Sequence, residues 1–300
     1  MKTHRRLRVA VPSASRARSR RGWGLTARAL LGFALLFSSI AAARMPPQDV
    51  RVDVPVYEIR QPIECLDERW TYSFAWNGIP VGSATVTVAE TGRNGSQDAV
   101  TIGVSGKTSS FVDLLWDYRM EASGDVRIGP FAPHEFISRE RERGSEKLTR
   151  VAFDSARHVT SYRSKGGHVE QYGFAAPNTY DILSTVLLAL NLDYRRGDIL
   201  SFDTLTGTAR YLVQVRVVER EPIEVAGAVR DAWRLEIVTT ELTDPKVEPK
   251  HESTELWVSA ERPRRLLRAR SRTFVGSIYA DLRTIERLEP TEEMHARSRP

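Results

Sequence analysis

An alternation of apolar and polar side chains dominates the chain from residue 67 onward and predicts β-strands. A period of two places alternate residues on one face of a strand. In residues 69–76 the aromatic side chains occupy every second position: Trp70, Tyr72, Phe74 and Trp76. Residues 81–89 alternate as well, and the Asn77-Gly78 pair between the two runs is typical of a hairpin turn. Similar runs recur to about residue 282, on the order of a dozen short strands, as expected of an antiparallel sandwich or barrel.

Residues 177–198 depart from this alternation and predict the central helix of the domain. Five apolar side chains recur at intervals that share one helical face: Ile182, Leu183, Val186, Leu187 and Leu190. Asn178 is placed as the N-cap, and Asp181 falls in the first turn, near the positive end of the helix dipole. Residues 195–197, Arg-Arg-Gly, are stop signals. We therefore predict a helix near residues 178–192.

The predicted fold class is a single mainly β domain, a curled antiparallel sheet or β-barrel-like structure with one central amphipathic helix. The helix either packs into the concave side of the sheet as core or covers a ligand cavity as a lid. The aromatic row of residues 70–76 is either core or the lining of an apolar pocket. Residues 112–125 fit a helix or a strand, and the alternation of Trp116, Tyr118 and Met120 favours a strand.

The first 43 residues have the features of a secretory signal peptide. They contain nine basic residues and no Asp or Glu, and residues 29–43 form an apolar run that ends in small side chains. Ala41 and Ala43 are placed for cleavage of the A-x-A type. Residues 19–23 partly match a twin-arginine signal, and the segment also shares features with a mitochondrial transit peptide and with an uncleaved inner-membrane anchor. We expect an exported protein.

This leader accounts for the positive charge of the whole chain. The 300 residues include 44 Lys and Arg against 38 Asp and Glu, a net charge of +6. Without the nine basic residues of the leader, 35 basic side chains face 38 acidic ones, a net charge of about −3. The composition therefore gives no argument for a nucleic-acid partner. The apolar part of the predicted helix is also too short for a membrane span, which needs about 20 residues.

The remaining segments flank the β domain, predicted at residues 67–288. Residues 44–66 contain four prolines and predict an extended leading arm, and residues 289–300 form a polar tail. Cys65 is the only cysteine, so an intramolecular disulfide cannot form. We expect it to be a small, partly buried side chain rather than a nucleophile.

The sequence lacks the common catalytic and cofactor motifs. There is no G-x-S-x-G elbow, phosphate loop or H-E-x-x-H, and four histidines of the chain after the leader are each isolated: His134, His158, His168 and His251. We expect no metal and no cofactor, and a non-enzymatic protein. Asp181 and Ser184, three residues apart, would share one face of the predicted helix. They form a small polar site facing a cavity, or else Asp181 serves the helix start and Ser184 packs against the sheet.

Residues 262–272 are the most distinctive charged stretch, with six arginines and no acid. On a strand that begins near residue 266, Arg268, Arg270 and Arg272 project to one face. They either pair with acids of the preceding strand, such as Glu252 and Glu255, or bind an anionic component of the cell envelope. The candidate ligand-binding residues are thus Asp181, Ser184, Trp257, Arg268, Arg270 and Arg272.

Four ordered segments carry a family resemblance: Asn77-Gly78-Ile79-Pro80-Val81-Gly82, Asp181-Ile182-Leu183-Ser184, the run from Leu256 to Arg265, and Gly276-Ser277-Ile278 with Ala280-Asp281-Leu282. In this order they resemble the bacterial envelope family catalogued as domain of unknown function 3108, over roughly residues 67–286. The resemblance implies an exported, mostly β protein and no established reaction or catalytic residues. Family members tend to have an acidic residue and a proline-led apolar strand after the tryptophan segment, whereas this strand is rich in arginine.

The leading functional hypothesis is a non-enzymatic periplasmic protein that binds a hydrophobic or amphipathic envelope molecule, such as a lipid or another anionic component. One alternative is a structural or interaction module in envelope assembly. Another is a hydrolase with an unrecognised site at Asp181 and Ser184. The sequence leaves the oligomeric state open.

Overall fold

The computed structural model of the protein describes residues 52–59, 61–90, 99–129, 131–155, 158–175, 178–207, 209–242, 254–273 and 276–288. The predicted signal peptide at 1–43, the polar tail at 289–300 and the first part of the leading arm lie outside the described residues.

The described residues form fifteen strands and two helices. The strands are β1 (Glu68–Trp76), β2 (Ile79–Glu90), β3 (Ala99–Thr108), β4 (Tyr118–Arg127), β5 (Ala132–Glu142), β6 (Ser145–Phe153), β7 (His158–Lys165), β8 (His168–Ala175), β9 (Thr179–Asp181), β10 (Ile199–Thr206), β11 (Ala209–Val225), β12 (Ala228–Glu241), β13 (Thr254–Ser259), β14 (Leu266–Thr273) and β15 (Gly276–Arg287). The helices are α1 (Ser110–Asp113) and α2 (Ile182–Asn191).

All fifteen strands belong to one curled, unclosed sheet. Its order is β8-β7-β6-β5-β4-β3-β2-β1-β15-β14-β13-β12-β11-β10-β9, so two meanders, β1–β8 and β9–β15, join where β1 pairs with β15. The pairings are antiparallel except that of β9 with β10. β9 also lies against β5, although the two are not hydrogen-bonded neighbours. The predicted mainly β, barrel-like fold class is confirmed.

The hairpin turns follow from residues that accept a left-handed backbone. Asn77 and Gly78 join β1 to β2 with φ of 47° and 88°, and Ala226 and Gly227 join β11 to β12 with φ of 52° and 74°. Positive φ at both central residues matches the right-handed twist of the flanking strands. The hairpin predicted at Asn77-Gly78 is therefore confirmed.

The aromatic row of β1 belongs to the hydrophobic core. Trp70, Tyr72 and Phe74 are all buried, and the Tyr72 hydroxyl donates to the carbonyl oxygen of Leu266 at 2.8 Å. Trp76, at the end of the strand, is partly buried and packs against the same cluster. The aromatic row is therefore part of the core and does not line an apolar pocket.

Helix α2 fills the concave side of the sheet at the place where its two ends approach each other. It lies against β4 and β5 on one side and β9 and β10 on the other. Eight of its ten residues are buried, which is expected of a helix packed on every side rather than of a lid facing water. In the described part of the chain, no helix is long and apolar enough to cross a membrane.

Helix α2 is shorter than predicted at both ends. Its N-cap is Asp181, not Asn178, because Thr179–Asp181 pair with β10 as a strand and leave the helix to begin at Ile182. At the other end, Leu192 is already extended, so Arg195 and Arg196 lie in the following loop and do not terminate the helix.

The strand favoured for residues 112–125 begins only at Tyr118. The preceding residues form the single turn α1, which ends at Asp113, and the chain then turns back into β4. The alternation of Trp116, Tyr118 and Met120 does describe one buried side, because all three are buried. The prediction of a strand from residue 112 was wrong, since the alternation starts before the backbone becomes extended.

The described part of the leading arm packs against the domain. Val54, Ile63 and Cys65 are buried, and the Tyr57 hydroxyl accepts a hydrogen bond from the backbone nitrogen of Ser201 at 2.9 Å. This bond satisfies a backbone group of β10 beside the short β9. Burial, aided by the nearby carboxylate of Glu68, raises the pKa of Cys65 to about 11, so the thiol is unreactive at neutral pH.

Gly124 in β4 allows the start of α2 to approach the sheet. A Cβ atom at this position would lie 3.2 Å from both Asp181 Oδ1 and Leu183 Cβ. We expect Gly124→Ala to lower the free energy of unfolding by about 1–3 kcal/mol, the usual cost of overpacking a core. Gly129→Ala is the matched control, because a Cβ there meets nothing within 4 Å. Urea denaturation of both variants is the measurement, and equal stabilities would contradict this account of Gly124.

Candidate functional site

The structure brings Asp181 and Ser184 together at the start of α2. Asp181 Oδ1 accepts hydrogen bonds from the backbone nitrogens of Leu183 at 2.9 Å and Ser184 at 3.0 Å. The Ser184 hydroxyl donates to Asp181 Oδ2. Both residues are fully buried. The pair therefore serves the helix start, and in this conformation neither side chain meets solvent or a ligand.

A buried polar cluster continues from this pair into the sheet. The Thr185 hydroxyl donates to the carbonyl oxygen of Asp181 at 2.9 Å and lies 3.0 Å from the hydroxyl of Thr204. Beside it, Asp203 forms a buried ion pair with Arg210, with Nε 2.8 Å from Oδ1. The Thr179 hydroxyl donates to Asp203 Oδ2 at 2.7 Å. Sequence reasoning missed this cluster, because its members are spread over β9, α2, β10 and β11.

The environment of Asp181 opposes its negative charge. Burial raises the pKa of its carboxyl to about 6, against the hydrogen bonds from Ser184 and the Leu183 backbone, which lower it. The opposing hydrogen bonds do not compensate for the loss of hydration. Asp181 is therefore a buried carboxyl that titrates near pH 6 in the folded state.

The other end of α2 is held by arginines from the loop between β13 and β14. Arg262 Nη2 donates to the carbonyl oxygen of Asn191 at 3.1 Å and to Asp193 Oδ1 at 3.0 Å. Arg264 donates to the carbonyl oxygen of Leu192, and its guanidinium lies 4.5 Å from the centre of the Tyr194 ring. Burial lowers the pKa of Arg264. Cations at the C-terminal end of a helix donate hydrogen bonds to its free carbonyl groups and interact favourably with the negative end of the helix dipole.

Arg268, Arg270 and Arg272 lie on one face of β14, as predicted, and are paired with acids. Arg268 Nε is 2.5 Å from Asp281 Oδ1 on β15. Arg270 bonds to Glu255 on β13, and Arg272 Nη2 lies 3.8 Å from the same carboxylate. The predicted pairing with Glu255 is confirmed, and Glu252 lies outside the described residues. The side chain of Arg272 is 58% exposed and is the most accessible of the three.

Trp257 lies within this charged face rather than in an open pocket. Its indole nitrogen donates to Glu221 Oε1 at 2.6 Å, and the Arg270 guanidinium lies 5.4 Å from the ring centre. Glu221 belongs to the outer part of the β11–β12 hairpin, where Arg268 also donates to the carbonyl oxygen of Glu224 at 3.1 Å. Contacts with this hairpin and the surrounding arginines leave Trp257 only 7% exposed.

The six predicted ligand-binding residues thus form two separate groups. The hydrogen bonds of Asp181 and Ser184 stay within the first turn of α2, whereas Trp257 and the three arginines bond to side chains and backbone of β11, β13 and β15. Among the described residues, no three His, Cys, Asp or Glu side chains are grouped so that they could hold a metal ion.

A second feature that sequence reasoning missed is an exposed apolar tip, formed by Phe111, Leu114 and Leu115. Their exposed fractions are 66%, 83% and 76%. The tip is the α1 turn with the two residues after it, between β3 and β4. Ile79, at the start of the neighbouring β2, is also half exposed. Grouped exposed apolar side chains of this size mark interaction sites more often than single ones do.

The apolar tip is held in place by buried and charged side chains beneath it. Val112 points into the core, and the Trp116 and Tyr118 rings stack with centres 5.1 Å apart. Arg119 Nη2 bonds to Asp113 Oδ2 at 2.7 Å, and this bond and the Thr108 hydroxyl lower the pKa of Asp113 to about 2. The three apolar side chains are therefore presented outward from a fixed base.

A family model of proteins of unknown function matches residues 71–283, most of the chain. The chain belongs to the DUF3108 family. No curated protein matches it. DUF3108 is a family of unknown function, so the function of this protein must be argued from its structure.

A solved structure supports the fold of this DUF3108 member. A beta-barrel-like protein of the DUF1849 family from Brucella abortus is similar at a TM-score of 0.51 and 8% identity, over 74% of this chain and 98% of that one. A candidate exported protein with a YmcC-like fold from Bacteroides fragilis (TM-score 0.31, 8% identity, 78% and 98% covered) and a candidate lipoprotein from Parabacteroides distasonis (0.30, 11%, 78% and 97%) are too loosely similar to support any argument.

Two of the segments that carry the DUF3108 resemblance meet in space. Asn77 Oδ1 accepts from the backbone nitrogen of Ser277 at 3.0 Å, and the Asn77 nitrogen donates to the Ser277 carbonyl oxygen at 3.0 Å. The other two segments hold opposite ends of α2, where Asp181 caps the start and Arg262 and Arg264 bind the end. The recurring residues of the resemblance therefore hold the sheet and the helix in place.

Asp181 should make folding stability depend on pH. The pKa of Asp181 is about 6 in the folded state and about 3.9 in the unfolded state. The stability linked to protonation of this carboxyl is therefore fully present below about pH 4 and is lost as pH rises through 6. Asp181→Asn keeps an oxygen for the N-cap and removes the titration. The stability of the protein relative to this variant should fall by on the order of 2–3 kcal/mol between pH 4 and pH 7.

Urea denaturation of both proteins across this pH range gives the difference curve. The difference is the useful quantity, because carboxylates with lowered pKa, such as Glu68 and Asp193, act in the opposite direction. Glu146→Gln, at an exposed position of β6, is the control and should leave the shape of the curve unchanged. If the stability difference between the wild type and Asp181→Asn does not change with pH, the raised pKa assigned to Asp181 is wrong.

The arginines of β14 should differ in their importance for stability. Arg270→Ala leaves Glu255, whose side chain is 10% exposed, without its closest cation, and we expect a loss of about 1–3 kcal/mol. Arg272→Ala, on the same face but 58% exposed, should change stability by less than about 0.5 kcal/mol. Denaturant midpoints at neutral pH compare the two, and similar losses would contradict the assigned pairing.

Proposed function

We propose that this DUF3108 protein is a non-enzymatic, exported cell-envelope protein that binds an amphipathic, lipid-like molecule through its apolar tip. The observation that carries the proposal is the outward presentation of Phe111, Leu114 and Leu115 from a base fixed by Val112 and Arg119. Leaving three large apolar side chains in water costs free energy that a lipid chain would recover.

The predicted polar sites give less support to other functions. Asp181 and Ser184 are buried and bonded to each other, so they offer no accessible nucleophile to a hydrolase. Arg268 and Arg270 are bonded to Asp281 and Glu255, which leaves little charge available for an anionic partner on that face. The side chains of the apolar tip, by contrast, face solvent.

The size of the tip sets the strength of binding. Full burial of a large apolar side chain contributes about 1.5–3 kcal/mol, so three partly exposed ones contribute on the order of 4–6 kcal/mol before the costs of association. Without those costs the range would correspond to dissociation constants of about 0.04–1 mM, and the costs of association make binding weaker than this. The protein should therefore bind a single lipid weakly and reversibly.

The test is a titration with dihexanoyl-phosphatidylcholine, a short-chain lipid, kept below its micelle-forming concentration and followed by NMR. The wild-type protein should show saturable shifts confined to residues around the apolar tip. The variant F111S/L114S/L115S should bind at least about tenfold more weakly, while its fold stays intact because all three side chains are exposed.

Val229→Ser is the matched control, since Val229 is 76% exposed on the distant β11–β12 hairpin. It should bind as the wild type does. Equal binding by the triple-serine variant would place the lipid elsewhere on the protein. No binding by the wild type would refute the proposed function.

A further inference from the structure

Resting on the proposed function, we infer that the partner of the apolar tip is the surface of a lipid bilayer, into which the tip inserts as a single-turn wedge. Phe111, Leu114 and Leu115 would enter the acyl region, and the exposed side chains of Lys107 and Arg143 would lie at the headgroups. This goes beyond binding of a single amphipathic molecule, because it fixes which end of the sheet faces the membrane.

Part of the backbone of the tip is already hydrogen-bonded internally, which lowers the cost of its insertion into hydrocarbon. Asp113 N donates to the Ser109 carbonyl oxygen at 2.9 Å, and Leu115 N and Trp116 N both donate to the Val112 carbonyl oxygen, at 2.9 and 2.7 Å. Arg143 Nη2 donates to the Leu115 carbonyl oxygen at 3.4 Å. Polar backbone groups without such partners would make insertion unfavourable.

The one acid within α1 is turned away from the apolar side chains. Both oxygens of Asp113 bond to Arg119, at 3.1 and 2.7 Å, and Oδ1 also accepts from the Thr108 hydroxyl. Asp117 lies 2.9 Å from the same arginine. Asp113 and Asp117 thus share one arginine, which partly offsets their negative charge beneath the tip.

Two cationic side chains flank the tip and remain exposed. Lys107 is near the end of β3, and Arg143 is in the turn between β5 and β6, where its backbone nitrogen bonds to the Asp117 carbonyl oxygen at 3.0 Å. Long basic side chains beside an inserted apolar segment extend to the headgroup layer. Anionic lipid should therefore strengthen the interaction.

The shape of the tip favours a bilayer over a protein groove. Residues 111, 114 and 115 give the i, i+3, i+4 spacing of a single turn, and the chain then returns to the buried Trp116. Helices that bind protein grooves usually add an anchor at i+7. A fluid acyl layer needs no matching pocket and accommodates a short convex wedge.

A single labelled cysteine tests this insertion directly. Cys65 is buried with a raised pKa, so a new exposed cysteine can be labelled selectively. Leu115→Cys carrying an environment-sensitive fluorophore should show increased, blue-shifted emission with vesicles of phosphatidylcholine and phosphatidylglycerol. The same label at Val229→Cys, equally exposed on the β11–β12 hairpin, should not respond.

Co-sedimentation with the same vesicles measures the interaction without a label. F111S/L114S/L115S should reduce the bound fraction by at least about tenfold. The variant K107E/R143E should weaken binding to vesicles containing phosphatidylglycerol more than binding to vesicles of phosphatidylcholine alone, and equal losses on both would contradict the role of these cations.

The outcomes separate this inference from the proposed function. If the wild type binds monomeric short-chain lipid but neither sediments with vesicles nor changes the emission of the residue 115 label, the bilayer inference is wrong and the proposed function stands. If it binds neither, both are wrong. Emission changes of equal size at residues 115 and 229 would also overturn the inference, because they would indicate non-specific adsorption.

Discussion

Fixing helix α2 at both ends is the constraint on which the rest of the structure depends. The strands from β5 through β1 and β15 to β9 enclose a wider interior than the roughly eight strands whose side chains fill a barrel unaided. A buried apolar helix fills this space only if its free backbone groups are satisfied. Asp181 does so at one end and Arg262 and Arg264 at the other. The position of the helix in turn holds β9 against β5, where the sheet does not close.

The polar groups of the domain divide into an inner and an outer set. Inside, the cluster from Asp181 to the Asp203–Arg210 ion pair lies where α2 meets the sheet, and each of these groups has partners nearby. Outside, acids and arginines alternate from β11 to β15 and surround Trp257. Buried polar groups without partners would be costly, so both sets are parts of the framework. The exposed apolar tip is the feature that the framework does not explain.

Local patterns predicted the strands well, because alternation reports burial directly. The row of Trp70, Tyr72 and Phe74 identified both β1 and its inner face. The start of α2 could not be found in the same way, since Asn178 and Asp181 are both good N-caps. Only the pairing of Thr179–Asp181 with β10, a contact between distant segments, decides between them.

The candidate site shows the same limit. Pairing of Arg270 with Glu255 followed from the expected neighbouring strands, whereas the partnership of Arg268 with Asp281 depends on the register of β14 and β15. Phe111, Leu114 and Leu115 have the composition of a core segment, and nothing in their spacing states whether they face inward. Their exposure follows from Val112, which occupies the inward position of the turn.

The pairing of β1 with β15 has a consequence for how the chain folds. Within each half, successive strands pair with neighbours in sequence, as antiparallel hairpins except for the parallel pair of β9 and β10 joined through α2, so both halves of the sheet can form from local contacts. Their junction instead joins residues about two hundred positions apart, such as Trp76 and Ile278. The entropy of closing so large a loop slows this step. The sheet is therefore completed only after the last strand has been synthesised, and until then the edge of β1 is open to pairing with other chains.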